Sequence, residues 1–306
     1  MRRKVIQIAG STQLVSLPRQ WAKRNNLQKG QEIEVRENGN TIVVMANAEP
    51  FIEKAEIDIS KLDVMIPRCI SALYKRGVDS LRVTYSDPTS LSILHKALAK
   101  DTVGFEILEQ GENTCMIKHV AGETTEFNSV LRRVFLLLNT MSEESISAFR
   151  KENYTLLGNL AFLEEANNRF TTICMRYLNT KGAADTFNKV GPLYHMVESL
   201  EQLADHYKYL LQHFSKLDKE KVKIRKEVLQ LFEKSNKLIR LYSELFYKFD
   251  SERVVVFKKE RNAVVETVHG LLKRKLNYAE NWLVYHSIAI TQKVFEMVDA
   301  LLVLKL

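Results

Sequence analysis

The sequence predicts a multidomain α+β protein: a β-rich unit over residues 1–47, a small α/β segment over 48–119, and an all-helical half over 120–306. Three observations carry that expectation. Only 11 Gly and 5 Pro occur in 306 residues, too few breakers for a loop-rich or all-β chain. Apolar residues recur at every second position near the N-terminus, and at helical spacing from about residue 120 onward. The length suits two or three domains, and 45% hydrophobic with 27% charged residues is ordinary for a globular protein. Collagen-like, disordered and disulfide-scaffold classes are excluded. Cys69, Cys115 and Cys174 are odd in number and in no Cys-x-x-Cys spacing, which fits a reducing cytoplasm and gives no zinc site. The longest apolar runs, Val134–Leu138 and Ala300–Leu304, fall far short of a membrane span. No long apolar stretch or cleavage site follows Met1-Arg-Arg-Lys-Val, so no leader is expected.

In the first segment, Lys4–Ile8 alternates polar and apolar, the period of a half-buried strand. Ala9–Gln13 is turn-like and Leu14–Leu17 is a second short strand. Pro18 opens a short helix, Arg19–Asn25, with Trp21 and Ala22 facing inward. Leu27–Gly30 ends it. Gln31–Arg36 and Thr41–Met45 are strands around the hairpin turn Glu37-Asn-Gly-Asn40. A β-β-α-β-β unit this small buries little apolar surface and leaves open strand edges. Interleaving two copies removes both problems, so a homodimer or a higher assembly is expected. Charge singles out the same segment. Residues 1–47 hold eight basic and three acidic side chains, net +5 of the whole chain's +8, whereas 48–118 hold nine and eleven. Positive charge this dense points to a polyanion partner.

In the second segment, 48–61 reads as a connection with short extended pieces. Leu62–Lys75 carries a helical apolar stripe, with Pro67 in its first turn or at a kink and Gly77 closing it. Ser80–Tyr85 alternates as a strand. Ser86-Asp87-Pro88 is a cap and start for the helix Thr89–Lys100. Val103–Leu108 and Cys115–His119 are two strands joined by a hairpin loop. The α-β-α-β-β order predicts a small sheet with helices on one face. His95 stands alone on its helix, and no Gly-rich phosphate loop or nucleophile elbow occurs here.

The third segment is predicted as six long helices: Phe127–Lys151, Tyr154–Lys181, Pro192–Lys216, Lys219–Phe249, Ser251–Lys275 and Asn277–Leu304. Gly191-Pro192 is the clearest break among them. Long helices with short connections pack as antiparallel bundles, here three plus three over about 120–216 and 219–306.

Two stretches carry family resemblances. Val15-Ser-Leu-Pro-Arg-Gln-Trp-Ala22, followed by Leu27-Gln-Lys-Gly-Gln-Glu-Ile33, resembles the AbrB/SpoVT/MazE-type swapped-hairpin family, dimeric DNA-binding β-barrels. That resemblance covers residues 1–47 and implies that Arg2, Arg3, Lys4, Arg19, Lys23 and Arg24 face double-stranded DNA. Such side chains neutralise phosphates, and arginine also reads guanine edges. Glu198-Ser-Leu-Glu-Gln-Leu-Ala-Asp-His206 resembles a helix of PhoU-type proteins, which are tandem three-helix bundles. The resemblance implies divalent or iron cations held by acidic pairs four residues apart, here Glu201 and Asp205. The other three sites depart from the pattern, with Asn168, Asn262 and Phe295 each replacing an acid. Together the two halves resemble archaeal PhoU-type phosphate uptake regulators with an N-terminal DNA-binding domain.

The function expected is a non-enzymatic, dimeric DNA-binding transcriptional regulator tied to phosphate homeostasis. A second reading is an interaction protein docking on a phosphate transporter or sensor kinase. A third is a metal-binding bundle. For that last reading Glu266-Thr-Val-His269 has one di-iron spacing, and no second pair accompanies it.

Overall fold

A computed structural model describes residues 2–38, 41–46, 52–122, 126–182, 189–217 and 223–306. The chain divides into two compact units, Met1–Ile52 and Glu53–Leu306.

In the first unit, β1 (Ile6–Ile8) and β2 (Thr12–Leu14) pair antiparallel, with Ile6 opposite Leu14. Both strands are shorter than expected. The turn between them tightens at Ala9 and Gly10, with φ of +50° and +78°, so β2 starts at Thr12 and Val15–Leu17 lies beyond it. Pro18 is extended and caps α1 (Arg19–Arg24), which starts at Arg19 as expected. The Asn25 side-chain amide closes that helix by donating to the Trp21 carbonyl at 2.8 Å. β3 (Ile33–Asn38) and β4 (Thr41–Ala46) form a second hairpin with Asn38 opposite Thr41. The expected turn residues Gly39 and Asn40, and the expected segment boundary at 47–48, lie outside the described residues.

Among the described residues of this unit none is buried within the single chain. Trp21, expected in a core, is half-buried. Val5, Ile6, Ile8, Leu14, Val15, Val35, Ile42 and Val43 are 45–66% exposed. Each such side chain gains about 1.5–3 kcal/mol on full burial, and one chain leaves that stabilisation unrealised.

The second unit opens with a four-stranded sheet, β5 (Lys54–Asp58), β6 (Ser80–Thr84), β7 (Phe105–Gln110) and β8 (Thr114–His119), in the order β5-β6-β8-β7. β5 makes a sheet strand of one of the short extended pieces expected within 48–61. It is an edge strand parallel to β6, with Ala55 and Ile57 half-buried and Lys54, Glu56 and Asp58 exposed. Two inward apolar residues on a charged edge leave too short a period to recognise. α2 (Ile66–Arg76) links β5 to β6 after a 3-10 turn at Asp63–Met65, so the helix starts four residues later than expected. α3 (Pro88–Asp101) links β6 to β7. Its cap is as expected: the Asp87 carboxylate accepts from the Thr89 and Ser90 amides at 2.7 and 3.0 Å. Leu81, Val83, Cys115 and Ile117 from the sheet share a core with Ile66, Ile70, Tyr74, Leu94 and Leu98 from the two helices.

Among the described residues seven helices follow: α4 (Phe127–Arg150), α5 (Tyr154–Ala161), α6 (Leu163–Lys181), α7 (Val190–Ser215), α8 (Lys226–Tyr247), α9 (Ser251–Leu272) and α10 (Tyr278–Lys305). The helix expected at 154–181 is thus two, parted at Phe162. Gly191-Pro192 is not a break between helices. It lies in the first turn of α7, where proline's missing N–H forfeits no helical bond. α4 packs on α5, α6, α7 and α8, and α10 packs on α7, α8 and α9 around one apolar core. Buried hydrogen bonds run through it: the Tyr207 hydroxyl donates to Asn236 Oδ1 at 2.6 Å, and Asn236 Nδ2 donates to the Ser142 carbonyl at 2.6 Å. Among the described residues no helix is long and apolar enough to cross a membrane.

The α/β portion and the helices form one unit because α6 reaches into the end of α2. Gly77 ends α2 at φ +104°, and a Cβ there would stand 2.5 Å from Thr180 Cγ2 of α6. Beside it Arg176 of α6 donates to the carbonyls of Tyr74 and Val78 at 3.0 and 2.8 Å and to Asp79 Oδ1 at 2.5 Å. Its guanidinium also lies 5.0 Å from the centroid of the Tyr74 ring.

A second charged lock joins α8 to α10. Glu280, 2% exposed, completes a capping box with Asn277 and accepts from Arg225 Nε and Nη2 at 2.6 and 2.8 Å. Hydrogen bonds from Arg225, against the opposing effect of burial, lower its pKa from 4.5 to about 2. A carboxyl with a folded pKa below its unfolded value stabilises fully above the unfolded value and loses that contribution as pH falls through the folded one. The gap corresponds to about 3 kcal/mol. Glu280→Gln is therefore expected to lower unfolding stability by about that much at pH 7, with the deficit vanishing toward pH 2. Denaturant midpoints of both proteins across pH 2–7 check this.

Candidate nucleic-acid interface

The six basic residues of the first unit that the family resemblance points to are all exposed. Arg2, Arg3 and Lys4 lie in the extended segment leading into β1. Arg19 opens α1, and Lys23 and Arg24 form its last turn. Arg19 and Lys23 are four apart and so share one face of the helix. None of the six makes an ion pair with a described residue, so each charge faces solvent uncompensated. No hydrogen bond among the described residues joins the strand-side group to the helix-side group. What this arrangement can do is bind anions through strong, screenable charge, with arginine forks available to phosphate or to base edges.

The helical candidates are placed differently. Glu201 and Asp205 are half-buried on α7, and each already holds a lysine. Lys75 Nζ of α2 reaches Glu201 at 3.2 Å, and Lys208 Nζ reaches Asp205 at 2.5 Å and Glu164 of α6 at 2.8 Å. Burial raises the pKa of Glu201, and Lys75 opposes that rise. Asn168 donates to Glu164 on the same helix. Asn262, Glu266, His269 and Asp299 are exposed, as is His95. Among the described residues no group of three or more His, Cys, Asp or Glu is placed to hold a metal ion.

The sequence does not mark Lys75 or Arg176, and it marks Lys208 by a local spacing alone: Lys208 stands three residues after Asp205, which puts the two on one helix face.

Residues 6–50 match the family model described as antidote-toxin recognition MazE, bacterial antitoxin. The N-terminal unit is MazE/AbrB-like. The match spans α1 with Arg19, Lys23 and Arg24, and begins just after Arg2, Arg3 and Lys4. No curated protein and no solved structure matches the chain. The MazE-like unit therefore stands ahead of a small sheet and a mostly helical region that the family model does not reach.

Proposed function

We propose that the chain is a homodimeric DNA-binding transcriptional regulator. Two MazE-like units interleave their hairpins into one barrel, and cations from both copies line the surface that meets duplex DNA. The observation that carries this reading is the joint state of residues 2–46: eight exposed apolar side chains, no buried residue among those described, and six solvent-facing cations that pair with no described residue. A second copy buries the first set and doubles the second. Within this reading the unit beginning at Glu53 senses a signal or binds a partner and carries no catalysis. The PhoU-type likeness of its helices supports a link to phosphate uptake. A DNA-binding or antitoxin-type regulator is the class that the MazE match supports.

The test is the affinity of the full chain for mixed-sequence duplex DNA at two salt concentrations. Affinity that falls steeply with salt supports the proposal. Absence of binding at low salt favours a protein that docks on transporter or kinase components through its helices.

A further inference from the structure

The PhoU-type resemblance implies cations held between acidic pairs on facing helices, and the side chains present at those places do not fit a metal. At the first, the Lys208 ammonium sits between Glu164 of α6 and Asp205 of α7, at 2.8 and 2.5 Å. Lys208 is largely buried, which disfavours its charge, yet the hydrogen bonds it donates to Asp205 and Glu164 outweigh burial and raise its pKa. The neighbouring carboxylate, Glu201, is taken by Lys75 from α2. Glu164 Oε2, Asn168 Oδ1 and both polar atoms of Asn167 are buried without a partner among the described residues. Asn167 thus offers a donor beside an acceptor, a combination that water satisfies and a cation does not.

The second helical half repeats the substitution by other means. Phe295 stands where the resemblance implies an acid, and Lys258 Nζ and the Arg261 guanidinium carbon lie 4.1 and 4.8 Å from its ring centroid. The acids left at the positions that the resemblance implies in that half, Glu266 and Asp299, are exposed. In both halves, then, side-chain cations occupy the surroundings that a bound metal would need free of positive charge.

We infer that Lys208 is the resident cation of the helical half: its ammonium, held by Glu164 and Asp205, bridges α6 and α7 in the place of a divalent metal, and the helices fold without one. This inference does not rest on DNA binding, and either can fail alone.

The experiment compares the full-length wild type with Lys208→Ala and Lys208→Arg. Metal content is measured after gel filtration, and melting is followed with EDTA, Mg2+ or Mn2+. The wild type is expected to carry substoichiometric metal and to melt at one temperature in all three conditions. Lys208→Ala leaves two carboxylates facing each other across α6 and α7. Its Tm is expected to fall by several degrees and to recover in part with Mn2+. Lys208→Arg, which keeps a cation, is expected to stay indifferent to metal. Stoichiometric metal in the wild type, or a Tm that EDTA lowers, overturns the inference without reference to any variant. A Lys208→Ala protein that melts like wild type and ignores Mn2+ also overturns it. If Lys208→Ala does not fold while Lys208→Arg does, the structural role of the cation stands.

Discussion

Charge reversal at Arg2, Arg3 and Arg19 together is expected to weaken binding to duplex DNA by at least about a hundredfold at low salt, an effect set by the phosphate charge those side chains would meet. The argument begins with exposure. None of the three is buried or ion-paired with a described residue, so their replacement by Glu removes no internal bond. Surface changes of this kind usually alter stability by less than about 0.5 kcal/mol, and the triple variant should melt close to wild type. In a dimer the six reversed charges repel the backbone that the native arginines attract. In the wild type, six to ten phosphate contacts shared by two copies predict an affinity loss of about 10³–10⁵ between 50 and 200 mM salt. In the variant that slope should shrink along with the affinity. Reversal of Lys118, an exposed lysine on β8, is the control and should leave binding near wild type. Fluorescence anisotropy at several salt concentrations separates these outcomes.

Arg176→Ala is expected to cost about 3 kcal/mol of unfolding free energy, since hydrogen bonds to a charged donor and a largely buried ion pair are lost together. One guanidinium serves two carbonyls at the end of α2 and the Asp79 carboxylate, and it also packs over Tyr74. Its side chain is 10% exposed, so water reaches the abandoned carbonyls poorly. Asp79 is 33% exposed and is partly resolvated, which places the cost toward the lower end of the range for broken buried pairs. Asp79→Asn should cost less, because Arg176 keeps both carbonyls. Denaturant unfolding of both variants measures the difference. A loss below about 1 kcal/mol for Arg176→Ala would mean that apolar packing alone holds α2 to α6.

How far the sequence reveals this molecule depends on how local each determinant is. Helices with their own caps are legible: Asp87-Pro88 starts α3, and Asn277 with Glu280 three residues on starts α10. β5 is not, because its inward face is only Ala55 and Ile57 at a charged edge, and its identity comes from pairing with β6. The parting of α5 from α6 is also hidden, since no proline or glycine stands at Phe162, and the stripe continues across it. At the candidate nucleic-acid interface all six cations follow from the family resemblance of residues 1–47, and their exposure needs no distant partner. The polar bridges of the helical half could not. Arg176 meets Asp79 across 97 residues of chain, and Lys208 meets Glu164 across 44. An isolated basic residue on a helix reads as a solvated charge until the fold supplies its acid.

The most direct measurement is native mass spectrometry of the full chain, alone and with a short duplex. Free protein at twice 35.4 kDa, and two chains on each duplex, are the expected results. A species at the mass of one chain, or a complex holding a single chain, would contradict the interleaved pair on which the proposed DNA-binding surface depends.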